Sequence, residues 1–246
     1  MKPLSIFSLI IALGWQSQLF AQKTIECDTI LTSGGPLMIY FVGHGSLFFS
    51  FNNTIVHIDP VSRYADYSKF PKADLILITH HHGDHFDNGA IQAVTKPSAR
   101  LIYTQICSNT TEVNGNILNN GDSTTEYGIN IEAVPAYNLL HKRENGEPYH
   151  PKGHGNGYVL TFSDIRVYIA GDTENIPEMA KLSDIDIAFL PMNLPYTMTP
   201  EMVTYAVQMF RPRILYPYHY GNTNTNELLS LMNGLTYCEV RIRQMQ

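Results

Sequence analysis

The sequence predicts an α/β fold in which two β-sheets pack face to face and helices cover their outer faces, giving a four-layer sandwich. Two observations predict this architecture. A strand-rich first half of the chain ends in a helix, and a strand-rich second half does the same. Several apolar strands also end abruptly at polar, metal-competent residues, as expected for a site carried on one sheet edge. With 246 residues, the chain is long enough to bury a sizeable core.

The first half of the chain contains the patterns of β-strands and one helix. Three short strands are joined by tight turns, one of which is Asn52-Asn53. A further run is continuously apolar, which is typical of a strand buried on both faces. The predicted segments are strands over 37–42, 46–51, 54–58, 74–79 and 100–104, and a helix over 88–95.

The second half repeats this order after a long connection. Residues 136–157 are rich in Gly, Pro, Asn and His and are predicted to form a long ordered loop, a type of segment that is usually functional. Pro200 stands where a helix favours proline, at its first position. The predicted segments are strands over 129–134, 158–162, 166–170, 184–190, 214–218 and 238–242, and helices over 200–210 and 226–232.

The first 21 residues have the pattern of a signal peptide. Lys2 supplies the positive start, residues 4–13 an apolar stretch too short to span a bilayer, and Ala21 a small residue before the cleavage point. The alternative is a core helix that stays attached. We predict a single mature domain over 22–246 that is exported, either periplasmic or secreted, and has no integral membrane segment after processing.

Composition narrows the range of partners. The formal net charge of −6 argues against a nucleic-acid partner, which would favour a basic face. Export would permit disulfides, but Cys27, Cys107 and Cys238 leave at least one cysteine unpaired and show no close spacing. We therefore predict that the cysteines are small buried hydrophobic residues. The sequence does not indicate an oligomeric state.

The stretch with the clearest chemistry follows the continuously apolar strand. Its pattern is His80-x-His82-x-Asp84-His85. Imidazole nitrogens and carboxylate oxygens are ligands of zinc and of its neighbours in the divalent series. Alternate side chains of an extended segment point the same way, so His80 and His82 can bind one metal while His81 points elsewhere. Gly83 allows a turn that lets the last two residues of the pattern address a second metal. The alternative is an exposed polar loop.

Three other strands also end at residues that can bind metal. His44 follows the strand over 37–42, Asp172 the strand over 166–170, and His219 the strand over 214–218. Taken singly, each has a structural explanation. Asp172 lies in a Gly-Asp-Thr sequence that is common in turns, and each histidine could be a hydrogen-bonded structural residue, as we expect for His57. Their shared position at strand ends favours a common site.

Together these motifs resemble the metallo-β-lactamase superfamily. The similarity covers roughly residues 37–221 and is closest to the branch that contains ascorbate-6-phosphate lactonase. The similarity rests on the histidine pattern and on the segments 39–46 (IYFVGHGS), 58–60 (IDP), 134–138 (VPAYN), 170–174 (AGDTE) and 217–221 (PYHYG).

The resemblance implies an αββα sandwich with a site for two divalent metal ions, zinc first, with manganese or iron as alternatives. Carried over by position, His80 and His82 bind metal 1. Metal 2 is bound by Asp84, His85 and His219, and Asp172 bridges the two ions.

One position departs from the family pattern. The family usually has a further histidine ligand of metal 1, and that place falls at Asn138, whose neutral amide oxygen is a poor zinc ligand. The following loop offers His141, His150 and His154 as replacements. We favour His150, because its surroundings, Tyr149-His150-Pro151-Lys152-Gly153, resemble a recurring feature of relatives that also carry Ala-Tyr-Asn.

The function implied is hydrolysis of a small-molecule substrate by a metal-bound hydroxide, on a lactone or another ester-like compound. Asp84 is predicted to orient the hydroxide, and His44 or Tyr218 to donate a proton or bind substrate. The runner-up is a phosphodiesterase or phospholipase, since N-acyl phosphatidylethanolamine phospholipase D has a similar motif set. Rivals from other classes are a non-catalytic metal- or ligand-binding protein, favoured by Asn138, and an iron-dependent redox protein.

Overall fold

Each half of the chain forms one seven-stranded sheet in which every strand pairs with its neighbours in chain order. The computed structural model describes residues 25–111 and 113–245, so the predicted signal peptide lies outside the described residues. The first sheet has the order β1 to β7. Its strands are Glu26–Thr32 (β1), Gly35–Gly43 (β2), Ser46–Phe51 (β3), Thr54–Ile58 (β4), Ala73–Leu77 (β5), Thr95–Tyr103 (β6) and Asn116–Ile117 (β7).

The second sheet has the order β14 to β8 and follows the same principle. Its strands are Ser123–Glu126 (β8), Ile129–Ala136 (β9), Gly155–Phe162 (β10), Ile165–Ile169 (β11), Ile187–Pro191 (β12), Ile214–Tyr218 (β13) and Glu239–Val240 (β14). The helices are Asn88–Val94 (α1), Gln105–Ser108 (α2), Pro200–Phe210 (α3) and Thr225–Met232 (α4), with short 3₁₀ turns at Tyr67–Lys69 and Pro177–Lys181.

The sheets meet through one continuous apolar core, which confirms the four-layer prediction. Phe49 of β3 packs on Phe162 of β10 with ring centroids 5.5 Å apart, and Phe41 of β2 lies 5.0 Å from Tyr216 of β13. On the outside of the first sheet, α1 buries its apolar face in a second cluster with β5. On the outside of the second sheet, Phe210 of α3 packs edge-on against Tyr168 of β11.

Strand direction determines where the chemistry can lie. β4, β5, β6 and β7 run parallel, as do β11, β12, β13 and β14, whereas the remaining strand pairs are antiparallel. The carboxyl ends of parallel strands meet at one sheet edge. The residues that follow β4, β5, β11 and β13 are therefore brought together where the two sheets adjoin.

The structure corrects several sequence-based boundaries. β1, β7 and β8 were not expected, because their side chains are only half-buried or exposed and lack an apolar pattern. The buried strand predicted over 74–79 ends at Leu77, and β10 begins at Gly155, which shortens the predicted loop to residues 137–154. All three cysteines are free; Cys107 and Cys238 are buried as predicted, whereas Cys27 is exposed on β1.

No helix among the described residues combines the length and apolarity needed to cross a membrane.

Candidate metal centre

The side chains that the sequence singled out converge at the edge where parallel strands end. His80 lies three residues beyond β5, Asp172 three residues beyond β11, and His219 directly after β13. His44 follows β2, and its carbonyl accepts a hydrogen bond from the His219 amide at 3.1 Å. This contact joins the two sheets at the site, so the ligand-bearing segments of both halves are held in one place.

Three overlapping groups of ligand atoms result, and within each group the atoms lie no more than 4.8 Å from one another. The first group matches the residues expected around metal 1, and the other two contain those expected around metal 2 and the bridge. The groups are His80, His82 and His150; His44, Asp84, His85 and His219; and His80, His85 and Asp172.

Asp172 lies at the centre of this arrangement. Its Oδ2 is 3.2 Å from Nε2 of His150 and 3.3 Å from Nε2 of His219, and its Oδ1 is 3.3 Å from Nε2 of His85. Burial raises the pKa of Asp172, but the surrounding imidazoles, His219 and His85 first, hold it well below its usual range. The carboxylate therefore stays ionised among histidines, as a bridging ligand must.

The histidines also differ in their electrostatics. Burial lowers the pKa of His82 to about 4 and that of His80 well below its usual value, so both imidazoles are neutral and can donate a lone pair to a metal. Burial also opposes a charge on His219, but Asp172 and Asp84 outweigh it and raise the pKa of His219 to about 10.

Unsatisfied buried atoms test whether these residues fit a metal. Nε2 of His80, His85 and His219 and Oδ1 of Asp172 are all buried and make no hydrogen bond within the described part of the chain. Buried polar atoms of this kind are costly and ordinarily find a partner. Since the three Nε2 atoms lie 3.3–3.7 Å from the Asp172 carboxylate and all belong to zinc-type ligands, the donor set fits divalent metal ions.

Further residues contact the candidate metal ligands and fix their orientation. The sequence patterns assigned these residues no role. Asp59, which follows β4, accepts from Nδ1 of His85 at 2.7 Å and from the Thr79 hydroxyl at 2.6 Å. Such carboxylate–histidine contacts fix the ring and its tautomer and leave Nε2 for the metal. Gly45 completes this support, because a Cβ there would collide with the ring of His85.

The structure also separates the four candidates for the remaining ligand of metal 1. Nε2 of His150 lies 3.2 Å from Nδ1 of His82 and joins the first group, whereas Asn138 points its amide oxygen at Nδ1 of His150, 2.6 Å away. His141 and His154 belong to none of the three groups of ligand atoms. Asn138 therefore lies behind His150, in the position of a supporting hydrogen-bond acceptor.

The loop that carries His150 is anchored by a buried carboxylate. Glu174 accepts hydrogen bonds from the amides of Leu139, Leu140 and His141 at 2.7–2.8 Å and from Nδ2 of Asn138 at 3.0 Å. Burial raises its pKa, but these donors outweigh the effect and keep it below its usual value. A chain of contacts thus runs from Glu174 through Asn138 to His150.

His44 and Tyr218 occupy different places from those expected of groups that contact substrate. Nε2 of His44 lies 3.3 Å from Oδ2 of Asp84, and the His44 ring stacks on Tyr64 and contacts the tilted ring of His219. Tyr218 is fully buried, and burial raises its pKa well above 10. Neither residue lines the pocket beside the ligand groups.

Three more sequence-based expectations have clear outcomes. His57 is structural, as predicted: it is buried and its Nε2 lies 3.0 Å from the Pro71 carbonyl. His81 belongs to none of the ligand groups, also as predicted, and lines a smaller cavity with His154. Gly83 lies in a turn, as predicted, with an ordinary φ and open space around its Cβ position. Its place on the pocket wall requires no glycine for backbone reasons.

A pocket of about 350 Å³ opens beside the ligand groups. That volume suits a small molecule. One part of its wall consists of residues that can bind metal, and another part consists of an arginine and two tyrosines. The lining residues are His82, Gly83, Asp84, Arg143, Tyr149, His150, Asp172, Tyr196 and His219.

Comparisons with known proteins identify the family of this chain. Residues 38–219 match the family described as Beta-lactamase superfamily domain. A metal-dependent hydrolase of Thermococcus kodakarensis is 31% identical over 196 residues, which make up 74% of this chain and 84% of the relative.

Solved structures give the same result for the fold. A protein of Parabacteroides distasonis, assigned as a metal-dependent hydrolase, is 50% identical and superposes with a TM-score of 0.86 over 91% of this chain and 100% of its own. Igni18, a metallo hydrolase of Ignicoccus hospitalis, shares the fold at 22% identity, with a TM-score of 0.68 over 85% of this chain and 95% of its own. Since the family match spans most of the sequence and contains every residue of the three ligand groups, this chain belongs to the metallo-β-lactamase superfamily.

Proposed function

We propose that this metal-dependent hydrolase of the metallo-β-lactamase superfamily acts on a lactone or another small ester-like molecule and uses two divalent metal ions, zinc first. The observation that carries the proposal is the ionised Asp172 carboxylate, held among histidines whose buried Nε2 atoms lack partners, beside a pocket of small-molecule size. When bound, the two ions would supply a hydroxide near neutral pH and stabilise the oxyanion of the reaction.

The ligand groups give each residue a role. His80, His82 and His150 would hold one ion, and Asp84, His85 and His219 the other, with Asp172 between them. Asp59 and Asn138 would keep the Nδ1 atoms of His85 and His150 occupied, so that each Nε2 is presented to the metal.

Asp84 is the carboxylate best placed to accept a hydrogen bond from the hydroxide and orient it. About a third of it is exposed, and it lines the pocket, whereas the other carboxylate of the site, Asp172, is almost fully buried. His219 and His44 hold the pKa of Asp84 below its usual range despite burial, so its Oδ2 remains an acceptor. His44 is then a positioning residue, because it contacts Asp84 and does not line the pocket.

Activity screening tests this function directly. The chain from residue 22 onward, loaded with zinc, manganese or iron, is assayed against lactones, esters, phosphodiesters and phospholipids. We expect hydrolysis of lactones or esters that a chelator abolishes and added metal restores. Hydrolysis confined to phosphodiesters or phospholipids would move the function to that class. A chain that binds one ion or none and hydrolyses nothing would be a binding protein.

The histidine cluster contains its own control for this assay. His82→Ala removes a ligand atom, and we expect kcat/KM to fall by more than about 10²-fold, since loss of a supporting contact alone costs about 10–100-fold. His81→Ala changes the neighbouring imidazole, which belongs to no ligand group, and should retain activity within about threefold. Equal losses in the two variants would contradict the assignment.

The third ligand of metal 1 can be tested by metal binding alone. We expect His150→Ala to weaken the binding of one zinc ion by more than about 10²-fold, measured by competition with a chromophoric chelator. His154→Ala, four residues along the same loop, is the matched control and should bind two ions as the unchanged chain does. A loss of zinc in His154→Ala but not in His150→Ala would reverse the assignment.

We also propose, from the sequence pattern of residues 1–21, that the chain is exported. Fractionation of cells that produce the full-length chain tests this: the protein should be recovered outside the cytoplasm and begin near residue 22. Recovery in the cytoplasm with Met1 intact would disprove it.

A further inference from the structure

Part of the pocket wall consists of residues that are not candidate metal ligands. The metal-competent side chains form one part of the wall, and Arg143, Tyr149 and Tyr196 form another. The two tyrosine rings meet edge to face with centroids 5.1 Å apart. Arg143 is the only lysine or arginine among the residues that line this pocket.

The backbone around Arg143 is fixed by a tight hairpin within the loop over residues 137–154. The Arg143 amide donates to the Glu147 carbonyl at 2.7 Å, and the Gly146 amide donates to the Arg143 carbonyl at 2.9 Å. Gly146 has a φ of 87°, a conformation that favours glycine. The turn therefore holds the arginine in a defined position at the pocket.

The guanidinium group is held in place and retains free donors. It lies over the ring of Tyr149, 5.1 Å from the centroid, which is the geometry of a cation–π contact. Within the part of the chain that the structure describes, its one hydrogen bond is a long contact of 3.4 Å from Nη2 to the Tyr149 carbonyl. A guanidinium carries five N–H donors in a planar fork that matches carboxylate and phosphate oxygens. Most of these donors remain free for a ligand.

The positive charge of Arg143 has no partner among the described carboxylates. Among the ion pairs of residues 25–111 and 113–245, none involves Arg143, although other loop cations such as Lys152 are paired. The carboxylates of the pocket wall, Asp84 and Asp172, already face imidazoles and would be matched by metal ions. The positive charge of Arg143 is thus left over in a pocket that a substrate must enter.

We propose that Arg143 binds a carboxylate or phosphate group that the substrate carries away from its scissile bond, so that the enzyme acts on small anionic esters or lactones. The inference rests on the proposed function for the hydrolytic step. It adds a specificity-determining residue and a charge class for the substrate.

A matched pair of esters tests the proposal. The 4-nitrophenyl ester of hexanoic acid and the mono-4-nitrophenyl ester of adipic acid differ only in the distal methyl or carboxylate, and both release a coloured product. We expect the zinc-loaded enzyme to favour the adipate ester in kcat/KM. The ratio of the two values should fall about tenfold in Arg143→Gln, which loses a charge-assisted hydrogen bond, and less in Arg143→Lys.

Lys142→Ala is the matched control, because Lys142 is the neighbouring cation on the same hairpin and does not line the pocket. This variant should keep the ratio of the unchanged enzyme. Since a distal charge also responds to ionic strength, the preference should weaken as salt is added. The proposal is overturned if the enzyme shows no preference for the adipate ester, or if Arg143→Gln lowers kcat/KM equally for both esters.

A binding measurement separates this proposal from the hydrolytic function. Butyrate, succinate and 3-phosphonopropionate share one carboxylate and differ in the distal group. Calorimetry on zinc-loaded protein should give tighter binding of the two dianionic compounds than of butyrate, and Arg143→Gln should remove that advantage. The stronger of succinate and phosphonopropionate identifies a carboxylate or a phosphate as the preferred anion. If no ester is hydrolysed but this advantage depends on Arg143, the anion site stands and the hydrolytic function fails. If esters are hydrolysed and the advantage is absent, the reverse holds.

Discussion

Replacing Asp172 with asparagine should lower kcat/KM by more than about 10³-fold, because the loss of a single electrostatic stabiliser already costs about 10²–10³-fold. Asp172 faces the Nε2 atoms of His80, His85, His150 and His219, so one change affects both ligand groups. Asparagine keeps the size of the side chain and removes its charge. The measurements are steady-state kinetics on the substrate found by screening and the number of zinc ions per chain.

Asp164→Asn is the matched control for this variant. Asp164 lies on the turn between β10 and β11, where it accepts hydrogen bonds from Ser33 at the surface. We expect this change to leave kinetics and zinc content unaltered. An Asp172→Asn enzyme that keeps two ions and near-normal kcat/KM would show that Asp172 is no bridging ligand.

Stability of the chelated, metal-free protein provides a second readout of Asp172. Asp172 and Asp84 raise the folded-state pKa of His219 from its usual 6.5 to about 10. A group with a raised pKa stabilises the fold fully below its unfolded pKa, and this contribution is lost as pH rises through the folded value. The difference in unfolding free energy between the unchanged chain and Asp172→Asn should therefore be larger at pH 6 than at pH 9. A difference that grows with pH would contradict this electrostatic account.

Replacing Glu174 with glutamine should destabilise the protein by about 3 kcal/mol, because an amide group would face buried N–H donors that now bond to a carboxylate. Whichever way the glutamine is turned, its NH₂ group meets two donors: either Leu139 and Leu140, or His141 and Asn138. Since Asn138 supports His150, zinc affinity should also fall by about 10–100-fold. Urea unfolding and chelator competition measure the two effects.

Glu178→Gln is the same chemical change four residues along the chain. Glu178 is partly exposed and pairs with Lys152, so the expected cost is within about 1 kcal/mol. The loss in Glu174→Gln should also shrink at low pH. The pKa of Glu174 is depressed, so its contribution is present above its unfolded pKa and lost as pH falls. Equal costs in the two variants would show that the loop is not anchored at Glu174.

Sequence patterns predicted the strands that carry an apolar pattern and missed those that do not. β12 is apolar throughout and β5 is apolar apart from Asp74, so their sequences are unambiguous. β1 has the sequence ECDTILT and alternates between half-buried and exposed positions, because it is an edge strand paired only with β2. Part of its stability comes from the far end of the chain, where Arg243 binds Asp28. Such a contact across the whole sequence leaves no local pattern.

The same distinction applies to the site. The cluster at His80 is visible because its residues are adjacent in sequence, and its partners Asp172 and His219 are visible because they end strands. The roles of Asp59 and Glu174 depend on contacts with residues about 26 to 36 positions away. Asn138 was considered as a weak ligand, whereas the structure gives it a hydrogen bond to His150, a possible replacement ligand already favoured from the sequence.

The backbone contact between His219 and His44 has a consequence for the protein as a whole. At this contact, candidate ligand residues from both sheets lie side by side. Metal ions bound there would therefore cross-link the two halves of the sandwich. The binding free energy of the metal would then be part of the cohesion between the halves, by mass action. Metal supply in the protein's surroundings would thereby govern how long the folded chain persists as well as how fast it works.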